Sequence, residues 1–204
     1  QAALDRCVAA GSPGAILAID APPLGIAFSG ASGLFAKGQS RPLRSDDPFR
    51  AASVTKAVTA ATAVRLAAEG YWELDSPITP FLPSNLVVLL RDLEGLQDID
   101  ALTIRRLLNH TSGLPDYFFR EQFQARVQKD PNRMWQPVEL IEAAIEGNRL
   151  AFLPGTDFSY ADTGYVLVGL AIEQLLDRPL AETYRSLIFG PLQMDSTYLE
   201  WHEP

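Results

Sequence analysis

A chain of 204 residues with 47% hydrophobic side chains has enough apolar surface for one large domain or two small ones, so a globular, soluble protein is expected. The net charge of −8 and a pI near 4.7 exclude a nucleic-acid surface, which needs clustered Lys and Arg. One cysteine cannot form an intramolecular disulfide, two histidines are too few for a His-rich metal site, and no apolar run reaches the length of a membrane span.

Residues Gln1 to Ala10 read as the end of a helix stopped by Gly11, with Cys7 as a small buried apolar residue. The chain starts at Gln1 rather than methionine, which is read as the loss or omission of an N-terminal segment. Ala15 to Asp20 and Gly25 to Phe35 are short β-leaning segments separated by Ala21–Leu24, the pattern of a hairpin or two-strand meander. Lys37 to Pro48 is a polar surface connection.

From Ser53 to Glu69 the spacing predicts a helix with apolar or small residues almost all the way round, and hence one buried among other elements. Ser53 and Lys56 lie three apart at its start, on one face. A hydroxyl becomes a nucleophile when a base takes its proton, and backbone N–H groups at a helix start face developing negative charge. The bland alternative, Ser53 as an N-cap and Lys56 as a solvated residue, is weakened by the apolar helix around them.

Prolines 77, 80 and 83 force short turns and one-turn helices, and Leu86–Leu90 is ambiguous between strand and helix. Thr103 is a good N-cap for a short helix over Ile104–Asn109. Phe118 to Met134 reads as a long surface excursion, and Pro137 to Glu146 as a helix with proline in its first turn. After the Pro-Gly turn in Phe152–Asp157, Gly164 to Leu176 is a second helix with little polar surface, for which Asp162 is placed to cap. Leu180 to Ile188 is a last amphipathic helix, and Gly190–Thr197 an irregular return. Two β segments followed by a helical block predict an α+β architecture.

Three stretches stand out together: SVTK at 53–56, LLNHTSGL at 107–114 and PGTDFSYADTGYVLVG at 154–169. In order, spacing and flanking helices they resemble the serine β-lactamase and penicillin-binding-protein superfamily, particularly the branch with class C β-lactamases, D-Ala-D-Ala carboxypeptidases and related esterases and amidases. The resemblance implies a β-lactamase/transpeptidase-like domain, with 1–50 holding the helix end and two strands and 51–204 the helical block. It places the acylated nucleophile on Ser53, the proton-removing lysine on Lys56 and the proton-shuttling phenol on Tyr160.

Asp162 stands where many members carry asparagine. An ionised Asp accepts only, or pairs with Lys56, which weakens the case for efficient lactam hydrolysis and leaves ester or other acyl substrates open. Its alternative is a plain N-cap role. Asp116 and Tyr117 are candidates to line the substrate cleft. His110 has no G-x-S-x-G or triad context and, by the resemblance, is structural, a histidine held at a turn after a short helix.

The family's third motif, Lys-Thr-Gly or His-x-Gly on a strand beside the serine, has no match between Gln1 and Pro204. That strand normally supplies the second oxyanion N–H, and a two-stranded hairpin is marginal alone. The expectation is an incomplete single domain over 1–204, completed by a C-terminal segment or a second chain. The resemblance further implies a small ester, amide or lactam substrate, no metal and no organic cofactor, and a periplasmic or secreted location. The competing reading is a catalytically impaired binding protein for peptidoglycan-like or acyl ligands.

Overall fold

The structure, a computed structural model, describes residues 1–147, 149–200 and 202, and the chain divides into two compact units, Gln1–Ala52 and a second that starts at Ser53. In the first unit, helix α1 (Ala2–Ala9) precedes an antiparallel ribbon of β1 (Gly14–Ala21) and β2 (Ile26–Gly33), paired from Gly14↔Gly33 to Ala21↔Ile26. Both strands fall on the predicted segments. Between them Pro22–Leu24 forms a 3₁₀ turn closed by Gly25 at φ 64°: the prolines preset the turn and the left-handed glycine reverses the chain. Gly33 has φ 86°, and a Cβ there would lie 2.4 Å from the Pro13 carbonyl oxygen, so the close approach requires glycine.

Leu4 is the buried residue of α1, and the Gln1 and Asp5 side chains tie that helix to β2 at Ala31 O (3.1 Å) and Ser32 Oγ (2.8 Å). Cys7 is exposed, contrary to the buried position expected of it. Two turns of helix on a two-stranded ribbon cover one narrow stripe, here Leu4 and Val8 at i and i+4, and Cys7 falls outside it.

The second unit is helical. It comprises α2 (Thr55–Ala68), α3 (Ser84–Arg91), α4 (Ile104–Leu108), α5 (Glu121–Lys129), α6 (Pro137–Ile145), α7 (Asp162–Leu176) and α8 (Leu180–Tyr184), the last continuing as a π-helical turn over Arg185–Phe189. Its core is built from Leu66 of α2, Leu86 and Leu90 of α3, Ile104 and Leu107 of α4, Ile141 of α6, and Leu167, Val168 and Ile172 of α7. The ambiguous Leu86–Leu90 run is therefore helical, with Leu86 and Leu90 at i and i+4 facing inward.

Local chemistry sets several helix starts. Thr103 caps α4 by accepting the Arg106 N–H, and Gln136 with Glu139 forms a capping box ahead of α6. The Gly164 Cα packs so closely on α4 that a Cβ would meet Leu107 O at 2.9 Å, which brings the start of α7 onto the end of α4.

Three further expectations are corrected. The 118–134 excursion contains α5, anchored by buried Phe123 against Tyr117 and Trp135; one core residue in nine leaves no periodicity to read. Helix α7 begins at Asp162 itself with Ala161 at the N-cap, so Asp162 is the first helical residue and not a side-chain cap. Helix α2 is not buried all round: Thr59, Thr62, Ala63 and Leu66 face inward, whereas Val54 just before it and Ala57, Ala61 and Val64 are exposed. Among the described residues no helix is long and apolar enough to cross a membrane.

Candidate active site

The chain enters α2 through a 3₁₀ turn over Ala52–Val54, and Ala52 sits at φ 45°, a left-handed conformation rare for a residue with a side chain. Such local strain at a turn is a recurrent feature of functional sites. The turn leaves the Ser53 hydroxyl exposed at the helix start, and one helical turn later Lys56 donates from Nζ to Ser53 Oγ at 3.2 Å. Tyr160 Oη lies 2.7 Å from the same oxygen.

Lys56 forms an ion pair with Asp162 Oδ1, with both side chains about four-fifths buried. Its ammonium also lies 4.8 Å from the Tyr160 ring centre and 5.6 Å from that of Tyr165, where the negative ring faces attract it. Burial by itself pushes the Lys56 pKa down, but hydrogen bonding to Asp162 and Tyr160, with their charges, outweighs it and holds the group above the ordinary lysine value. Lys56 is therefore a cation at neutral pH.

Two side chains of the 110–118 segment bind the backbone beside Tyr160. Asp116 Oδ2 accepts the Asp162 N–H at 2.8 Å, satisfying a helix-start donor from outside the helix, and its Oδ1 accepts the Phe118 N–H at 2.5 Å. Burial raises the Asp116 pKa above its usual range, partly offset by these two bonds. His110, itself left-handed at φ 62°, accepts the Ala161 N–H on Nδ1 at 3.2 Å. Its ring lies 4.5 Å from the Tyr160 ring, 5.4 Å from Tyr165 and 5.9 Å from Phe158.

The structure thus brings Ser53, Lys56, Tyr160 and Asp162 into mutual contact, with Asp116 behind Asp162. Tyr117 points differently: its ring packs edge-on to Phe123 against the hydrophobic core, and burial pushes its phenol well above the usual tyrosine range. Tyr165 belongs to the site although the motif reading does not name it. It lies at i+3 from Asp162 on α7, a spacing that puts both on one helix face, and its hydroxyl donates to Leu108 O at 2.8 Å. Thr163 is a second such residue, donating to Pro115 O at 2.7 Å.

A helix-borne Ser-x-x-Lys pair met by a Tyr-x-Asp segment, in an α+β chain, defines the class of serine β-lactamases and penicillin-binding proteins. The chain belongs to the Beta-lactamase family, whose model matches residues 6–204. Among curated proteins it is 34% identical to Esterase EstB of Burkholderia gladioli over 176 residues, covering 83% of this chain and 43% of the esterase. It is 29% identical to Penicillin-binding protein 4* of Bacillus subtilis, covering 78% of this chain and 32% of that protein.

Among solved structures, the D-amino acid amidase of Ochrobactrum anthropi SV3 superposes with a TM-score of 0.81 at 31% identity, over 100% of this chain and 52% of the amidase. The fold is β-lactamase/transpeptidase-like, helical with a two-stranded antiparallel sheet. The chain spans between a third and about half of the length of these relatives.

Proposed function

We propose that this chain carries the nucleophile half of a serine hydrolase that works through an acyl-enzyme on Ser53, with a small ester or amide as substrate. The observation that carries this reading is the convergence of Tyr160 Oη (2.7 Å) and Lys56 Nζ (3.2 Å) on Ser53 Oγ. Ser53 Oγ attacks the acyl carbon. Its proton passes to Tyr160 Oη as the Tyr160 proton passes to the leaving oxygen or nitrogen, whose bond to the acyl carbon breaks. Water then attacks the acyl carbon and the same relay runs backwards, returning a proton to Ser53 as the ester bond breaks.

Lys56, kept cationic by Asp162, is a fixed positive charge beside the proton path rather than the base itself. The Ser53 N–H at the helix start supplies one oxyanion donor. Asp162 engages Lys56 and cannot donate to a substrate carbonyl, which favours esters and simple amides over lactams.

The remaining oxyanion donor and the third motif come, in this reading, from a C-terminal segment or a second chain. Three facts support it: the chain spans half or less of the first curated relatives, β1 and β2 form a two-stranded sheet with Leu17, Ile19 and Ile26 exposed, and the outer side of α2 is apolar and exposed. An intact Ser-Lys-Tyr contact set favours the enzyme over a binding protein that has lost its chemistry. The test is turnover of a chromogenic ester by the protein together with its C-terminal region. Loss of turnover in Ser53→Ala supports the reading, and undiminished turnover in that variant refutes it.

A further inference from the structure

Four hydrogen bonds fasten the 159–163 stretch to the 110–115 and 116 positions. Ser159 N–H donates to His110 O at 3.0 Å, Ala161 N–H to His110 Nδ1 at 3.2 Å, Asp162 N–H to Asp116 Oδ2 at 2.8 Å, and Thr163 Oγ1 to Pro115 O at 2.7 Å. Carbonyl oxygens keep accepting at any pH, and a protonated carboxyl retains acceptor capacity. An imidazole nitrogen has a single lone pair, so a proton on Nδ1 turns that contact into donor against donor. His110 Nδ1 is the one acceptor of the four that a proton abolishes.

We propose that neutral His110, carrying its proton on Nε2, is a positioning residue that fixes Ala161 and so aims Tyr160 Oη at Ser53, and that protonation of His110 in acid releases this stretch and slows acyl transfer. The clamp itself stands on the hydrogen-bond geometry; its effect on rate rests on the acyl-enzyme reading above.

The charged and titratable groups facing the imidazole come from three directions: Lys56 of α2, Tyr160 ahead of α7 with Asp162 and Tyr165 on it, and Asp116 of its own segment. Burial first and the Lys56 charge second hold His110 below the ordinary value of 6.5, while the Ala161 contact, Asp162 and Asp116 pull the other way. The clamp is therefore closed at neutral pH. Because folded His110 takes up a proton less readily than the unfolded chain, its contribution to stability is present above 6.5 and is lost as pH falls through the lowered value.

The left-handed φ of 62° makes Asn the informative replacement, since Asn adopts this conformation readily. Its Oδ1 occupies the place of Nδ1 on Cγ and accepts an N–H without titrating. The first readout needs no substitution: in the parent protein the NMR shifts of the His110 ring and of the Ala161 amide titrate with one midpoint, and in His110→Asn the Ala161 transition disappears. The second readout is the rate at which a fluorophosphonate labels Ser53 at pH 8 relative to pH 5. That ratio falls by about tenfold in His110→Asn, the rate equivalent of the net contribution of one hydrogen bond that no longer titrates.

An Ala161 amide indifferent to the His110 titration, or a transition that persists in His110→Asn, overturns the clamp. An equal labelling ratio in both proteins overturns its effect on rate. With the C-terminal region present, a Ser53 that neither protein labels at any pH overturns the acyl-enzyme reading, and the Ala161 shifts then decide the clamp by themselves.

Discussion

Helix α2 has two apolar sides with opposite fates. The inner side, Thr59, Thr62, Ala63 and Leu66, is buried, and its polar atoms are paired: Thr62 Oγ1 bonds Val58 O at 2.9 Å and Thr59 Oγ1 bonds Tyr184 Oη at 2.7 Å. The outer side is equally apolar, yet Val64 is 49% exposed and Val54 70%. Ser53 and Lys56 sit at the helix start, where the polar partners come from 160–162. The contrast teaches that the inner side and the site depend on contacts already present in this unit, whereas the outer side is equally apolar surface left exposed among the described residues.

The largest expected effect is on chemistry. Lys56→Ala removes the cation that faces Ser53, Tyr160 and Asp162, and lowers the acylation rate of Ser53 by about 10²–10³, the size of losing one electrostatic stabiliser; stopped-flow measurement with an activated ester checks it. Next comes the inner side: Leu66→Ala, at 1% exposure, costs about 2–5 kcal/mol in urea unfolding. The matching change on the outer side, Val64→Ala, stays within about 0.5 kcal/mol because the side chain is half exposed. Equal costs for the two would erase the comparison.

A pH series sharpens the site further. The raised Lys56 pKa means that its contribution to stability is present below the ordinary lysine value of 10.5 and is lost as pH rises through the raised one. Thermal unfolding of the parent and of Asp162→Asn therefore converges above that range and differs below it. Because Lys56 remains partly solvated the difference is small, and in Asp162→Asn the alkaline limb of the activity profile moves to lower pH.

Much of the site was legible in the sequence because its signals are local. Ser53 and Lys56 share a face by i, i+3 spacing and gain their reading only with the 107–114 and 154–169 stretches beside them, while the strands of the ribbon show as short apolar runs between Gly and Pro breaks. What depends on distant contacts was not. That Asp116 holds the Asp162 N–H, or that His110 holds the Ala161 N–H, follows from the packing of α4 on α7 at Gly164, 46 and 51 residues away along the chain. Helix α5 was hidden because one buried phenylalanine gives no period, and Cys7 was misplaced because a two-stranded ribbon covers less of a helix than a full sheet does. The exposed side of α2 was misread for a related reason: an all-apolar helix signals burial, but cannot say whether the covering element lies in the same stretch of chain.

The central claim is that Ser53 is the nucleophile, held ready by Tyr160 and Lys56. Its most direct test is incubation with a fluorophosphonate, in the presence of the C-terminal region, followed by peptide mapping by mass spectrometry. The account predicts a single adduct on Ser53, absent in Ser53→Ala and formed more slowly in Tyr160→Phe. No adduct, or one on another serine, would contradict it.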